Sequence, residues 1–150
     1  MRAIIQRVSH ASVTVNGILI NKIEKGYMIL LGVEHEDTQE DLIWLSDKVA
    51  GLRIFGDVEG KMNLSIKEIQ GEVLLISQFT LHALTAKGNR PSFIKAAKPE
   101  IALPLYKQFA LRLKEHHDIP TKTGEFGADM DIALLNQGPV TIFIDSKNRE

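Results

Sequence analysis

Val73-Leu74-Leu75-Ile76-Ser77-Gln78-Phe79-Thr80-Leu81 begins as an apolar strand and turns polar before it ends. A strand that served only a hydrophobic core would stay apolar throughout, so a serine, an amide and a hydroxyl at its end mark a change of purpose. Read as a strand, the stretch alternates, with Ser77 and Phe79 on one face and Gln78 and Thr80 on the other. An amide and a hydroxyl then share a face. The plain alternative is a half-buried edge strand, where threonine is a favoured residue. A similar interruption occurs at Asn136-Gln137-Gly138-Pro139-Val140-Thr141, between the apolar runs Met130 to Leu135 and Val140 to Ile144.

The rest of the chain supplies the frame for these two segments. Runs at Ala3 to Val8, Ala11 to Val15 and Ile18 to Ile23 read as three strands, the last two joined through the hairpin signal Asn16-Gly17. Gly26 to Val33 reads as a buried strand, and Thr38 with the acids after it opens a helix whose buried face carries Leu42, Leu45, Val49 and Leu52. A second β-α unit follows, with Gly71 before the strand Val73 to Leu81 and a helix from about Glu100 to His117. Leu105, Phe109, Leu113 and His116 recur on it at helical spacing. Pro104 belongs in its first turn, because deeper in a helix proline costs about 3 kcal/mol. The expected fold is α/β, a single domain over residues 1–150, built as a sandwich of two β-sheets with two main helices packed on one side.

Composition narrows the chemistry. With 150 residues, 44% hydrophobic and 25% charged, the chain reads as one globular domain. Its longest apolar run, Tyr27 to Leu31, falls far short of the roughly 20 residues that span a bilayer, and the segment after Met1 lacks a signal-peptide core, so no membrane association and a cytoplasmic location are expected. The absence of cysteine excludes disulfides, thiolate nucleophiles and cysteine-ligated zinc. His10, His35, His82, His116 and His117 show no metal-ligand spacing, and no phosphate-loop or nucleophile-elbow motif occurs, so neither metal nor cofactor is expected. Thr80 has no histidine or aspartate beside it in sequence to activate its hydroxyl.

A net charge of -1 gives no bulk attraction to nucleic acid, and no DNA partner is expected. Gln78 to Pro99 nevertheless contains no acidic residue and carries Lys87, Arg90, Lys95 and Lys98, which face either phosphate or only solvent. Phe126, between Gly124 and Gly127, is either a core residue or a ring on which a nucleobase stacks. An X-Pro bond is cis in only about 5–6% of cases, and the sequence leaves the isomer of Gly138-Pro139 open.

Several segments in order share one likeness: Met1-Arg2-Ala3 with Gln6-Arg7-Val8, Leu52 to Phe55, Gly60 to Ser65, Ser77 to Leu81, Lys87-Gly88 with Arg90-Pro91-Ser92-Phe93, Phe126 to Met130, Asn136 to Thr141 and Asp145-Ser146. On these residues the chain closely resembles bacterial-type D-aminoacyl-tRNA deacylases (D-tyrosyl-tRNA deacylases), nearly end to end. It departs at His82-Ala83-Leu84-Thr85, where the family often has an aromatic or small residue followed by Asp-Thr, and at Gln137, where Asp is common.

The resemblance implies an editing hydrolase that cleaves the ester of D-aminoacyl-tRNA, and also glycyl-tRNA(Ala), with water as acceptor. It implies a homodimer with active sites at the interface, where a cis Gly138-Pro139 of one subunit enters the other's pocket and bars L side chains. It further implies backbone N–H donors at Phe79 and Thr80, a pocket fixed by Ser77 and Gln78, and help from the tRNA 2′-hydroxyl, with Thr80 as nucleophile the competing route. Phe126 becomes the candidate for the terminal adenosine, and Lys87, Arg90, Lys95 and Lys98 for tRNA phosphates. Two other readings stand beside it: a relative with relaxed chirality, and a non-catalytic RNA-binding module.

Overall fold

Arg2–Val15 form one strand, β1, where two strands were expected, in this computed structural model describing residues 1–150. Ser9-His10 breaks the apolar alternation but contains no glycine or proline to turn the chain. Between Val8 and Ala11, β1 advances three residues while its neighbour advances two, so the break is a bulge and not a turn. After β1 come β2 (Ile18–Ile23), β3 (Gly26–Gly32), helix α1 (Gln39–Gly51), β4 (Phe55–Gly56), β5 (Met62–Leu64), β6 (Glu72–Ser77), helix α2 (Pro99–Leu111), β7 (Thr121–Thr123) and β8 (Asp131–Asp145). The β1–β2 hairpin turns at Asn16 (φ 51°) and Gly17 (φ 76°), both left-handed, as an Asn-Gly turn requires.

One edge of β1 pairs with β3 through Arg2–Val8 and then with β2 through Ala11–Val15, while its other edge runs along β8. The main sheet has the order β2-β1-β3-β6-β7, with β8 added on β1, and β4-β5 is a separate ribbon. The two-sheet α/β architecture is thus present, in very unequal parts. β3 and β6 are parallel and buried on both faces. Toward the helices, Ile5, Tyr27, Ile29, Leu31, Val73 and Leu75 meet Leu42, Leu45 and Val49 of α1 and Ala102, Tyr106 and Phe109 of α2. The opposite face packs Val8, Val13, Ile23, Met28, Leu74 and Ile76 without any helical residue, so both helices do lie on one side. Each large side chain so buried contributes about 1.5–3 kcal/mol, which makes the ends of β3 and β6 a rigid platform.

Three local expectations are corrected. The strand from Val73 does not reach Leu81. It stops at Ser77, Gln78 leaves the strand (φ −145°, ψ 83°), and Phe79–His82 form a 3₁₀ turn. Pro104 is not in the first turn of its helix, because α2 starts at Pro99. Proline at the first position needs no N–H partner, and Pro104, one turn further in, is on the solvent side, where water meets the carbonyl it leaves unpaired. His116 is exposed, since α2 ends in a π-helical turn over Arg112–His116 that rotates it off the face shared by Phe109 and Leu113. Leu42, Leu45 and Val49 are buried as expected, and Thr38 opens α1 with its N–H and hydroxyl both donating to the Asp41 carboxylate at 2.9 Å. No helix is long and apolar enough to cross a membrane.

Candidate active site

The parallel strands β3 and β6 end side by side, and beyond their carboxyl ends lies a cleft of about 530 Å³. Ligands bind in this position in open α/β sheets. Leu31 and Val33 come from the end of β3, Ile76 and Ser77 from β6, Ala97 and Ala102 from the start of α2, and Phe126 to Met130 from the segment before β8. Twelve of its seventeen lining residues are hydrophobic, so polar groups on its wall act in an environment with little competing water.

Ser77, Gln78, Phe79 and Phe126, all singled out from sequence, meet in this cleft. The Gln78 side-chain amide donates to Thr80 Oγ1 at 2.6 Å. The amide and the hydroxyl are thus together as anticipated, through the 3₁₀ turn and not through strand alternation. The Gln78 N–H is taken by the Leu31 carbonyl at 2.8 Å, whereas the N–H groups of Phe79 and Thr80, the first two of the 3₁₀ turn, have no carbonyl within the turn to accept them. Two adjacent donors with no partner inside their own turn, at the edge of an apolar cleft, suit an oxygen that gains negative charge. The Thr80 hydroxyl makes no hydrogen bond to a histidine or carboxylate of this chain.

Phe126 is half-buried, packs on Tyr106 with ring centroids 5.6 Å apart, and keeps one side for the cleft. Tyr106 donates to the Leu75 carbonyl at 2.7 Å and burial pushes its phenol above the ordinary range, so it serves as a wall and not as a proton donor. Lys95 and Lys98 flank the cleft residues Ala96, Ala97 and Pro99, and all four cations are exposed. Lys87 and Arg90 ride on a loop closed by paired Leu84–Ser92 backbone bonds of 2.8 and 3.0 Å. Phe93, next after it, sets its ring edge against Phe79 at 5.1 Å.

Gly138 and Pro139 are not in this cleft. The peptide between them is cis, and the segment is not a turn between two strands, since both halves of β8 pair with β1. From Gln6↔Thr141 to Val8↔Asn136, β1 advances two residues and β8 five, so Gln137 to Pro139 are pushed out of the ladder and exposed. The base of this projection is tied down. Asn136 Nδ2 donates to Gln6 Oε1 at 2.7 Å, the Thr141 hydroxyl donates to the same oxygen, and Arg7 Nε donates to the Gln137 carbonyl at 3.0 Å while its Nη1 holds the Ile54 carbonyl at 2.6 Å. Gly138 has φ +129°, and a β-carbon there would sit 2.8 Å from Arg7 Nη2.

Gln6, Arg7 and Tyr106 are site residues that sequence reasoning missed. Gln6 and Arg7 left one signal, two polar residues in succession within the otherwise apolar run Ala3 to Val8. The one grouping of metal-type ligands, Asp47, His116 and His117, lies outside the cleft. One Asp47 oxygen there already accepts from Arg112 and pairs with His117, each at 2.8 Å.

The chain matches the model of a family described as D-Tyr-tRNA(Tyr) deacylase over residues 4–145. It is 61% identical to a D-aminoacyl-tRNA deacylase of Bacteroides fragilis and 57% identical to one of Flavobacterium psychrophilum, in each case over 100% of both chains. Among solved structures it resembles the c-Myc DNA Unwinding Element Binding Protein, with a TM-score of 0.90, 41% identity and coverage of 97% of this chain and 98% of that one. A probable eukaryotic D-amino acid tRNA deacylase shares the fold, with a TM-score of 0.81, 17% identity and coverage of 95% and 97%. With a family model spanning nearly the whole chain and full-length relatives at such identity, the chain belongs to the D-Tyr-tRNA(Tyr) deacylase family of ester hydrolases.

Proposed function

We propose that the cleft hydrolyses the ester joining a D-amino acid to the terminal ribose of tRNA. The observation that carries this reading is the pair of N–H groups at Phe79 and Thr80, which open the 3₁₀ turn and have no partner within it, on the edge of an apolar cleft. Water adds to the ester carbonyl, the carbonyl oxygen takes up charge against the two N–H donors, and the carbon–oxygen bond to ribose breaks with a proton passing to the ribose oxygen. Thr80 meets no base, so the neighbouring ribose 2′-hydroxyl orients the water and the protein contributes position and electrostatics. Phe126 packs against the terminal adenine, and Lys87, Arg90, Lys95 and Lys98 meet phosphates.

Selection against L-aminoacyl esters falls to Gly138 and Pro139, delivered by the partner subunit of a homodimer in the cytoplasm. Their carbonyls meet an L side chain and leave a D side chain, or glycine, unopposed. The exposure of the projection and its fixed base support this assignment. D-aminoacyl- and glycyl-tRNA(Ala) are then substrates. A parallel deacylation assay on D-Tyr-, L-Tyr- and Gly-tRNA(Ala) tests it, with turnover of the first and third and persistence of the second expected. Equal hydrolysis of both tyrosyl enantiomers refutes the screen, and tRNA binding without hydrolysis refutes the enzyme. The c-Myc DNA Unwinding Element Binding Protein is named for a DNA partner, but a net charge of -1 gives this chain no bulk attraction to a duplex. A mobility-shift assay with duplex DNA is expected to be negative at physiological salt.

A further inference from the structure

The Phe79–His82 turn makes long backbone bonds at both of its ends. Leu81 N–H reaches the Gln78 carbonyl at 3.3 Å and Ala83 N–H the Thr80 carbonyl at 3.1 Å, at the long end of the normal range. Its entry is fixed by the 2.8 Å bond from Gln78 N–H to Leu31. Beneath it the turn rests on bare backbone, since a β-carbon on Gly32 would come within 2.9 Å of the Gln78 carbonyl oxygen and 3.0 Å of the His82 ring. His82 is fully buried with neither ring nitrogen hydrogen-bonded, so its ring fills space under the turn without orienting it. The far end of the turn is therefore anchored by a side chain from elsewhere. Arg2, cross-strand neighbour of Gly32 on β1, donates from Nη1 to the Leu81 carbonyl at 2.9 Å and from Nε to Asp145 at 2.8 Å.

We propose that Arg2 is a positioning residue for hydrolysis: its guanidinium, braced on Asp145, holds the Leu81 carbonyl and thereby fixes where the Phe79 and Thr80 N–H donors sit. A charge-assisted bond is about twice as strong as a neutral one, and a guanidinium holds two acceptors in a rigid plane. Such a tether is stronger than either of the long bonds at the ends of the turn. Arg2 touches no substrate in this scheme and acts through the turn. The inference rests on the reading of Phe79 and Thr80 as the donors to the ester oxygen.

The test combines steady-state deacylation of D-Tyr-tRNA with the backbone amide resonances of Phe79 and Thr80 in Arg2→Ala, Arg2→Lys and Asp145→Asn proteins. Arg2→Ala is expected to lower kcat about tenfold to a hundredfold, the scale of a small misplacement of reacting groups, and to shift both amide resonances. KM should stay within about twofold, because no substrate contact is removed. Arg2→Lys should recover part of kcat, since an ammonium reaches one acceptor but cannot hold both in a fork. Asp145→Asn should fall least, as the bond to Leu81 survives. Unchanged kcat with unmoved amides in Arg2→Ala overturns the proposal, and so does a loss carried by KM alone. If Arg2→Ala does not fold, Arg2→Lys decides by the same readouts. A wild-type protein inert toward D-Tyr-tRNA sinks the deacylation reading instead, and the amide shifts then decide whether Arg2 holds the turn.

Discussion

Residues 77–82 and 136–141 both interrupt a strand and both expose backbone polar groups, yet they do so in opposite senses. The first folds inward at the end of a strand buried on both faces, rests on Gly32, and offers N–H donors beside an apolar cleft. The second is extruded from a ladder that continues on both sides of it, and is gripped at its base by Gln6 and Arg7. A donor site at a cleft can work within one chain. A projection into solvent has nothing in its own chain to act on, which is why the proposed function gives it to the neighbouring subunit.

Removing a donor from the inward segment should have the largest effect. Phe79 is the first residue of its turn and Gln78 is already outside the helical region, so Phe79→Pro deletes the N–H with little backbone conflict. It is expected to cost about 10²–10³-fold in kcat on D-Tyr-tRNA, while Phe79→Ala, which keeps the N–H and loses the Phe93 contact, costs far less. Equal losses in the two variants would place the importance of this residue in its ring.

The outward segment should respond in selectivity and stability instead. Gly138→Ala forces a β-carbon into the left-handed region against Arg7, at about 1–3 kcal/mol, and Arg7→Ala takes the donor from the part-buried Ile54 carbonyl at a similar cost while leaving the exposed Gln137 carbonyl to water. Urea denaturation should show the destabilisation, and the ratio of D-Tyr- to L-Tyr-tRNA hydrolysis should fall in both. A drop in turnover at constant ratio would give the two regions the same role.

A smaller effect concerns pH. Burial holds the His82 imidazole below its ordinary value of 6.5, with the backbone of Gly32, the carboxylates of Glu34 and Asp37 and the Arg2 guanidinium around it. The unfolded chain therefore binds this proton more readily than the folded one. Stability from the neutral ring is full above the ordinary value and declines as pH falls below it. Urea midpoints measured from pH 7.5 to 5 should fall, and His82→Phe should flatten that slope. Smallest of all, Lys95→Gln or Lys98→Gln should weaken tRNA binding mainly at low salt, lowering the salt-dependence slope by about one unit per lost phosphate contact.

Much of this was legible in the residues. Apolar periodicity located β3, β6 and α1, and the two breaks in pattern located the cleft wall and the projection. The family likeness then supplied roles that spacing alone left open. What Arg2, Gln6, Arg7 and the floor at Gly32 do was not legible, because each acts on residues far away in the chain, and the succession of two polar residues at Gln6-Arg7 does not say what they hold. Ser9-His10 and Gly138-Pro139 misled for a related reason. A bulge and a turn share polar or special residues, and only the partner strand distinguishes them.

Composition and order of residues were enough to establish one α/β unit without cysteine chemistry, the two polar interruptions and the family to which they belong. That Ser77 ends its strand, that Phe79 and Thr80 open a 3₁₀ turn, and that Gln137 to Pro139 project from an unbroken β8 depend on pairings between β1, β3, β6 and β8. Backbone donors and acceptors are identical in every residue except proline, so which of them stay unpaired is a property of the assembled sheet and not of the letters.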